Sequence, residues 1–190
     1  MKNIQNSGIW GLLFGLIIFS AQAQETYEVA DNSIMMIKGT STLHDWESEV
    51  TEIKGKARLE VQNQCPLFEK VTLTIPVKSI KSGKSAMDKN TYEALHEREY
   101  PTIQFALQQI KPLASGKIQA TGELRMVGTL RLVQVEAKYE VVSPSLIRLM
   151  GTHTMKMTDF GIEPPTAVFG TIKTGDEITI NYTLYLNNIN

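Results

Sequence analysis

The chain has 190 residues, a formal net charge of −1, and a composition that is 42% hydrophobic and 21% charged. This length suits one domain with a full hydrophobic core. The near-neutral charge gives no electrostatic reason to expect nucleic acid or an anionic membrane surface as a partner. The single cysteine, Cys65, excludes an intramolecular disulfide and lies in a polar segment, residues 62–66, that we predict as a loop.

The first 23 residues have the pattern of a secretory signal peptide. Lys2 supplies a positive start, residues 9–19 form an apolar run, and residues 21–23 form an Ala-Gln-Ala cleavage motif. The run is too short to span a bilayer comfortably, although a retained N-terminal anchor is the alternative. We therefore predict a signal peptide at 1–23 with cleavage near Ala23. The mature domain, residues 24–190, is then periplasmic or secreted, without stable membrane insertion.

Hydrophobic alternation with a period of two dominates the mature region and is typical of β-strands with one apolar face. We predict strands at residues 26–29, 34–46, 50–61, 71–80, 102–110, 117–127, 129–142, 146–157 and 177–186. So many strands in a small chain bury their apolar faces against each other, as a sandwich or as a closed barrel. A barrel of about eight strands is either filled by side chains or wide enough for one slender ligand.

The hydrophobic period becomes helical between residues 86 and 99. One helical face carries Met87, Thr91, Ala94 and Leu95. Pro101 ends this pattern. A later segment, residues 166–172, is compatible with a second short helix. The predicted fold class is therefore all-β, with one short helix between strands and a second in a late loop.

The apolar face of each strand would supply the wall of a ligand cavity. The predicted lining residues are Met35, Ile37, Ile75, Val77, Phe105, Leu124, Met126, Met155, Tyr182 and Leu184. Methionine has flexible torsions and a polarizable sulfur, so it suits a cavity that adapts to a flexible apolar guest. Methionine also fills ordinary cores, so the alternation alone leaves a ligand cavity and a filled core both open.

Catalytic and metal-binding motifs are absent from the sequence. It contains no Gly-x-Ser-x-Gly elbow, no His-Glu-x-x-His and no glycine-rich phosphate loop. His44 and Asp45 are neighbours, and in a strand they point to opposite faces. His44 and His153 both lie in predicted strands, but no third metal ligand accompanies them. We therefore predict no catalytic residue, no metal and no cofactor.

Five segments in order resemble the YceI-like family of secreted, lipid-binding antiparallel barrels. The resemblance rests on residues 39–46 (GTSTLHDW), 75–80 (IPVKSI), 87–105 (the helix and the YPTIQF that follows), 122–129 (GELRMVGT) and 159–162 (DFGI). Two positions depart from the family pattern: residues 129–132 lack the proline seen in many members, and Trp46 replaces a smaller residue.

The resemblance implies a lipocalin-like, antiparallel, eight-stranded β-barrel that binds a long-chain lipid or polyisoprenoid without catalysis. It would store or transport this ligand. The alternatives are a structural or protein-interaction barrel with a filled core, and an enzyme with a polar pocket at the barrel mouth. The expected partner is the lipid ligand, with no nucleic acid, and formation of a homodimer stays open.

An amphiphile held by its tail leaves its polar head near a barrel mouth. The predicted head-group contacts are His44, Trp46, Arg98, Tyr100 and His153. An indole or imidazole combines an apolar body with a polar atom, which suits a neutral carbonyl or hydroxyl. A diphosphate would require several cations, and few are present, so we expect a neutral or weakly polar head.

Overall fold

A computed structural model describes residues 25–167 and 169–190, so the predicted signal peptide lies outside the described residues. The strands are β1 (Glu25–Val29), β2 (Ile34–Ser41), β3 (Trp46–Val50), β4 (Lys54–Gln62), β5 (Cys65–Pro76), β6 (Ile80–Lys81), β7 (Thr102–Leu113), β8 (Lys117–Met126), β9 (Thr129–Ser143), β10 (Leu146–Lys156), β11 (Thr166–Ala167) and β12 (Ile172–Asn188). Helix α1 spans Ser85–Ala94, and short 3-10 helices span Val77–Ser79 and Met157–Phe160.

The strands close into one antiparallel barrel of eight long strands. Three of these long strands are interrupted by a bend, and each of the three consists of two consecutive segments: β1 with β2, β3 with β4, and β5 with β6. Strand β12 pairs with both β1 and β2, which closes the barrel. On their other edge, β1 pairs with β4 and β2 pairs with β3. The predicted antiparallel eight-stranded barrel with a short helix between strands is confirmed.

One end of the barrel is filled by side chains, and we call it the closed end. The hairpin turns at residues 63–64, 114–116 and 144–145 lie there. Four large side chains at this end are at most 1% exposed: Tyr27, Leu59, Ile147 and Leu186. Full burial of each aliphatic side chain contributes about 1.5–3 kcal/mol. The Tyr27 hydroxyl donates to the Pro144 carbonyl at 2.9 Å, so the one polar atom brought inside is satisfied.

The opposite end carries the non-strand segments, and we call it the open end. Helix α1, the 3-10 helix Met157–Phe160 and strand β11 all lie there. A second apolar cluster lies beneath them, formed by Met126, Met157, Phe160 and Ile162. Asp176 on β12 holds the 3-10 helix by accepting hydrogen bonds from the backbone N–H of Thr158 at 2.9 Å and from its hydroxyl at 2.6 Å. No helix in the described part of the chain is long and apolar enough to cross a membrane.

Two segment predictions are wrong. The late helix does not form at residues 166–172, because Thr166 and Ala167 pair with β12 as a strand and Gly170, at φ +83°, closes the turn. The predicted strand at 34–46 is broken, because the Ser41 hydroxyl oxygen accepts the backbone N–H groups of Leu43 and His44 and turns the chain. The late short helix lies instead at Met157–Phe160.

Two boundaries also differ from the prediction. Helix α1 ends at Ala94, and the chain then reverses at His96, which has φ +48°. Cys65 is the first residue of β5 and is not in a loop, because only Asn63 and Gln64 form the turn. Its thiol is free and lies 3.5 Å from the Tyr139 hydroxyl.

Candidate functional site

An apolar cavity of about 510 Å³ lies inside the barrel, between the filled closed end and the segments of the open end. Ligand sites for small molecules typically have volumes of about 300–1,000 Å³. The exposed residues of the lining are all at the open end, and they include Leu43, His44, Lys84 and Ala86. The mouth of the cavity therefore lies between the first turn of α1 and the loop that follows β2.

The cavity ends at a floor of side chains above the closed end. The floor is formed by Phe68, Ile118, Ala137, Leu149 and Leu184, all less than 9% exposed and all part of the lining. The next inward-facing residues toward the closed end, Ile147 and Leu186, belong to the filled core and do not line the cavity. The barrel is thus a cup that is open at one end.

Nine of the ten residues predicted for the wall lie on the cavity: Met35, Ile37, Ile75, Phe105, Leu124, Met126, Met155, Tyr182 and Leu184. Val77 is the exception. Strand β5 stops at Pro76, and Val77 begins a 3-10 helix, so the alternation does not extend to it. Its backbone N–H donates to the Pro101 carbonyl at 2.9 Å, and its side chain is buried outside the lining.

Several lining residues were not predicted as site residues. They include Phe68, Ile103, Leu107, Ala120, Val133, Val135, Ile178 and Ile180. Most continue the same period-two pattern and were detectable from it. Phe68 was missed because the strand that carries it begins six residues before the predicted start at 71. The helical face of Met87, Thr91, Ala94 and Leu95 also lines the cavity, toward its mouth.

Inward-facing glycines widen the cup. A Cβ atom at Gly39 would lie 2.6 Å from Cε2 of Trp46, its partner on β3. A Cβ atom at Gly122 would overlap the ring of Phe105 in the same way. Each ring therefore lies flat against the backbone of the neighbouring strand, in the space that a larger residue would occupy, and extends less far into the cavity.

Two titratable side chains of the inner wall, Tyr182 and His153, favour their neutral forms. The Tyr182 hydroxyl donates to the Glu136 carbonyl at 3.1 Å, and burial raises the pKa of Tyr182 to about 12. Burial also lowers the pKa of His153, which favours its neutral form. The Nε2 atom of His153 is enclosed and has no hydrogen-bond partner within the described residues. Lys84, at the mouth, is the one lysine or arginine of the lining in the described ranges.

The predicted head-group residues separate into two groups. His44, Trp46 and His153 line the cavity, whereas Arg98 and Tyr100 do not. Helix α1 ends at Ala94, before both residues, and their contact with a head group stays a prediction. Arg98 is exposed, and the ring of Tyr100 covers Gly128 at the turn between β8 and β9.

His44 and Trp46, which lie at the rim of the mouth, direct polar ring atoms at carbonyl oxygens of the protein's own backbone. The Trp46 indole N–H donates to the Thr40 carbonyl at 3.0 Å, so this donor is engaged. The Nδ1 atom of His44 lies 2.7 Å from the Asp45 carbonyl oxygen. Within the described residues, no group of three or more His, Cys, Asp or Glu side chains could hold a metal ion.

Comparison with protein families shows to which family the chain is related. The family described as YceI-like domain matches residues 25–186. The chain belongs to the YceI-like family. The match covers both the filled closed end and the cavity walls, so the whole barrel is the family domain. The comparison with curated proteins found no match.

Solved structures share the fold of this YceI-like domain at low sequence identity. BcnA of Burkholderia cenocepacia is 16% identical with a TM-score of 0.66, and the match covers 80% of this chain and 95% of BcnA. A polyisoprenoid-binding domain from Saccharophagus degradans, implicated in plant cell wall breakdown, is 12% identical with a TM-score of 0.68, covering 88% and 100%. The YceI protein of Campylobacter jejuni is 17% identical with a TM-score of 0.62, covering 75% and 84%.

Proposed function

We propose that this protein binds a long-chain lipid or polyisoprenoid in its barrel and stores or transports it without catalysis. The observation that carries the proposal is the cup itself: an apolar cavity, closed at one end and open at the other. Burial of each methylene group contributes about 0.8 kcal/mol, so a long chain gains affinity without specific contacts. The Saccharophagus degradans domain of the same fold, described as polyisoprenoid-binding, supports this ligand class.

The cavity supports ligand binding over the filled-core alternative. A filled barrel would show inward side chains meeting across the lumen at every level, as they do at the closed end. Above Leu149 and Leu184 the inward side chains instead surround free volume.

The chemistry of the wall supports a binding protein over an enzyme. Catalysis of acyl or proton transfer requires a base within hydrogen-bond reach of a nucleophile or an orienting group. His153 Nε2 has no hydrogen-bond partner in the described residues, and His44 bonds through Nδ1 to a backbone carbonyl. Neither histidine is hydrogen-bonded to a hydroxyl, thiol or carboxylate side chain that could act as its nucleophile in the described residues.

We also propose that the protein works in the periplasm or outside the cell. The support is the sequence pattern of residues 1–23, with its positive start, apolar run and Ala-Gln-Ala motif. N-terminal sequencing of the exported protein should find Gln24 as the first residue. An exported protein that still begins at Met1 would contradict cleavage.

The test of the ligand proposal compares two phenylalanine variants on strand β8. Ala120→Phe places a ring in the cavity, whereas Gln119→Phe places the same ring on the outer face, where Gln119 pairs with Glu136. The wild type and both variants are purified from the export compartment, and bound lipid is measured by native mass spectrometry. We expect lipid in the wild type and in Gln119→Phe, and its loss from a folded Ala120→Phe.

Two outcomes would contradict the proposal. One is a wild type that carries no lipid and takes up no prenyl alcohol or fatty acid in solution. The other is an Ala120→Phe variant that keeps its lipid while its unfolding free energy falls by about 1–3 kcal/mol, the result expected for overpacking a filled core.

A further inference from the structure

We propose that the rim of the mouth docks transiently on the surface of a lipid bilayer by inserting Leu43 and Phe169, so that a lipid passes directly between the membrane and the cup. This inference rests on the proposed function and adds the partner with which the cup exchanges its ligand. Three observations carry it, namely the exposure of the two side chains, the hydrogen bonds between their loops, and the continuity of their apolar surface with the cavity.

Leu43 and Phe169 are apolar side chains on two loops of the open end. Leu43 is 66% exposed and lies in the loop between β2 and β3. Phe169 is fully exposed in the turn between β11 and β12. Its φ of +52° lies in the left-handed region, which a bulky residue rarely adopts. Glycine or a polar residue suits this backbone and this exposure better, so folding gives no reason for a phenylalanine here.

Hydrogen bonds join the two loops. The Thr42 N–H donates to the Lys173 carbonyl at 2.9 Å, and the Thr42 hydroxyl oxygen accepts the Lys173 N–H at 3.1 Å. The same hydroxyl donates to the Thr171 carbonyl at 3.4 Å. Leu43 directly follows Thr42, and Phe169 lies two residues before Thr171. Both apolar side chains therefore belong to one hydrogen-bonded unit beside the mouth.

The apolar surface of this unit is continuous with the cavity. Leu43 lines the cavity although it is largely exposed, so its side chain belongs both to the wall and to the outer surface. Ala167 and Ile172, which pair on either side of the turn that carries Phe169, also line the cavity. A lipid that leaves the cup on this side meets apolar side chains up to the outer edge of the rim. Because exposure of a lipid tail to water is unfavourable, this path favours direct contact with a membrane over release into water.

The size of the exposed apolar surface favours a bilayer over a protein partner. A phenylalanine buries about 150–250 Å² when it is enclosed, whereas a stable protein interface buries at least about 1,200 Å² in total. Two side chains supply only a fraction of that area. A bilayer takes up inserted apolar side chains in proportion to their area and needs no complementary shape. With two side chains inserted, the contact is brief, as a carrier that has to leave the membrane again requires.

The exposed charged residues at the open end have both signs. Lys84 and Lys173 are positive, whereas Asp45 and Glu163 are negative, and all four are exposed. Docking therefore depends on the apolar side chains more than on the charge of the lipid head groups, and it should be similar on neutral and anionic bilayers.

The experiment follows the loss of geranylgeraniol from the loaded mature protein to phosphatidylcholine vesicles. Trp46 is the single tryptophan of residues 24–190 and lines the cavity, so its fluorescence reports occupancy. Release through water has a rate that does not depend on the vesicle concentration, whereas release at the membrane surface becomes faster as that concentration rises. We expect the wild-type rate to rise in proportion to the vesicle concentration. The slope should change by less than about twofold when one quarter of the lipid is phosphatidylglycerol.

The decisive variant is Phe169→Asn, because asparagine tolerates a left-handed backbone and removes the apolar ring. Phe169 does not line the cavity, so the affinity for geranylgeraniol in vesicle-free solution should equal that of the wild type. The slope of the rate against vesicle concentration should fall by about tenfold. Leu132→Asn is the matched control, because Leu132 is 67% exposed on β9 and also lies outside the lining. It should leave the slope unchanged.

The possible failures are distinguishable. If the wild-type rate does not depend on the vesicle concentration, the lipid leaves through water, and the docking proposal is wrong while the lipid-binding proposal stands. The same conclusion follows if Phe169→Asn keeps the wild-type slope or if Leu132→Asn lowers it equally. A wild type that sediments as a dimer, with Phe169→Asn as a monomer, would assign the two side chains to a second copy of the chain instead. If the wild type binds no geranylgeraniol, both proposals fall.

Discussion

Gly151 on β10 lies directly opposite Tyr182 on β12, and the tyrosine ring occupies the space where a side chain at position 151 would begin. The Tyr182 hydroxyl reaches past Gly151 to donate to the Glu136 carbonyl on the next strand, at 3.1 Å. The ring thus bridges three strands along the wall. An aromatic ring that covers a glycine of the neighbouring strand stabilises the pair and helps fix its register.

The first prediction concerns this pair. In Gly151→Ala, the new methyl group would overlap the Tyr182 hydroxyl and would lie 2.5 Å from the Glu136 carbonyl oxygen. We expect the free energy of unfolding, measured by urea denaturation, to fall by about 1–3 kcal/mol. The same substitution in a Tyr182→Phe background should cost less, with a coupling of about 0.5–3 kcal/mol. Strictly additive effects would show that the ring does not depend on the glycine.

The second prediction concerns alkaline stability. Burial raises the pKa of Tyr182 to about 12, whereas an unfolded tyrosine has a pKa of about 10. Its contribution is therefore fully present below about pH 10 and is lost as the pH rises toward 12, because the unfolded state releases its proton first. We expect Tyr182→Phe to lose less stability than the wild type over this interval. The pKa of Tyr27 is also raised to about 12, so part of the loss of stability with rising pH should remain in Tyr182→Phe.

The third prediction concerns His153. Burial lowers its pKa below that of the unfolded chain, about 6.5, so the unfolded state binds a proton first as the pH falls. Stability should therefore decrease below about pH 6.5. His153→Leu should reduce this decrease. Near neutral pH it should also raise the unfolding free energy by up to about 1–3 kcal/mol, because it removes an unpaired buried polar atom.

The control for His153 is His44→Gln, which changes a histidine at the exposed rim. It should leave the decrease in unfolding free energy below about pH 6.5 as large as in the wild type. If His153→Leu loses as much stability below about pH 6.5 as the wild type does, another group governs stability in this pH range.

The fourth prediction concerns the helix beside the mouth. The Tyr92 hydroxyl accepts a hydrogen bond from Lys81 Nζ at 2.7 Å and lies 3.1 Å from the Ile80 carbonyl oxygen, which ties α1 to β6. Tyr92→Phe removes both contacts. We expect faster hydrogen exchange in α1 and faster exit of a bound prenyl alcohol, with little change in global stability.

Tyr100→Phe is the matched control, because Tyr100 covers Gly128 outside the cavity lining. It should change neither the exchange of α1 nor the exit rate. Equal exchange rates for α1 in Tyr92→Phe and the wild type would show that other contacts hold the helix.

The barrel class and most of the wall were predictable from the sequence, because a period of two reports directly which side chains share a face. Strand β8 illustrates this: Ile118, Ala120, Leu124 and Met126 alternate in the sequence, and all four line the cavity. The helical face of α1 was predictable for the same reason, with a period of 3.6. Such local patterns survive folding because each strand or helix has to bury its apolar side.

The tertiary structure alone decided where the alternation stops and where the cavity ends. Val77 continues the apolar pattern of β5, yet a 3-10 helix removes it from the wall. Ile147 and Leu149 are similar residues on one face of one strand, yet the first belongs to the filled end and the second to the floor. The difference arises from side chains far away in sequence, since Tyr27 and Leu59 are fully buried in the core with Ile147 and do not line the cavity.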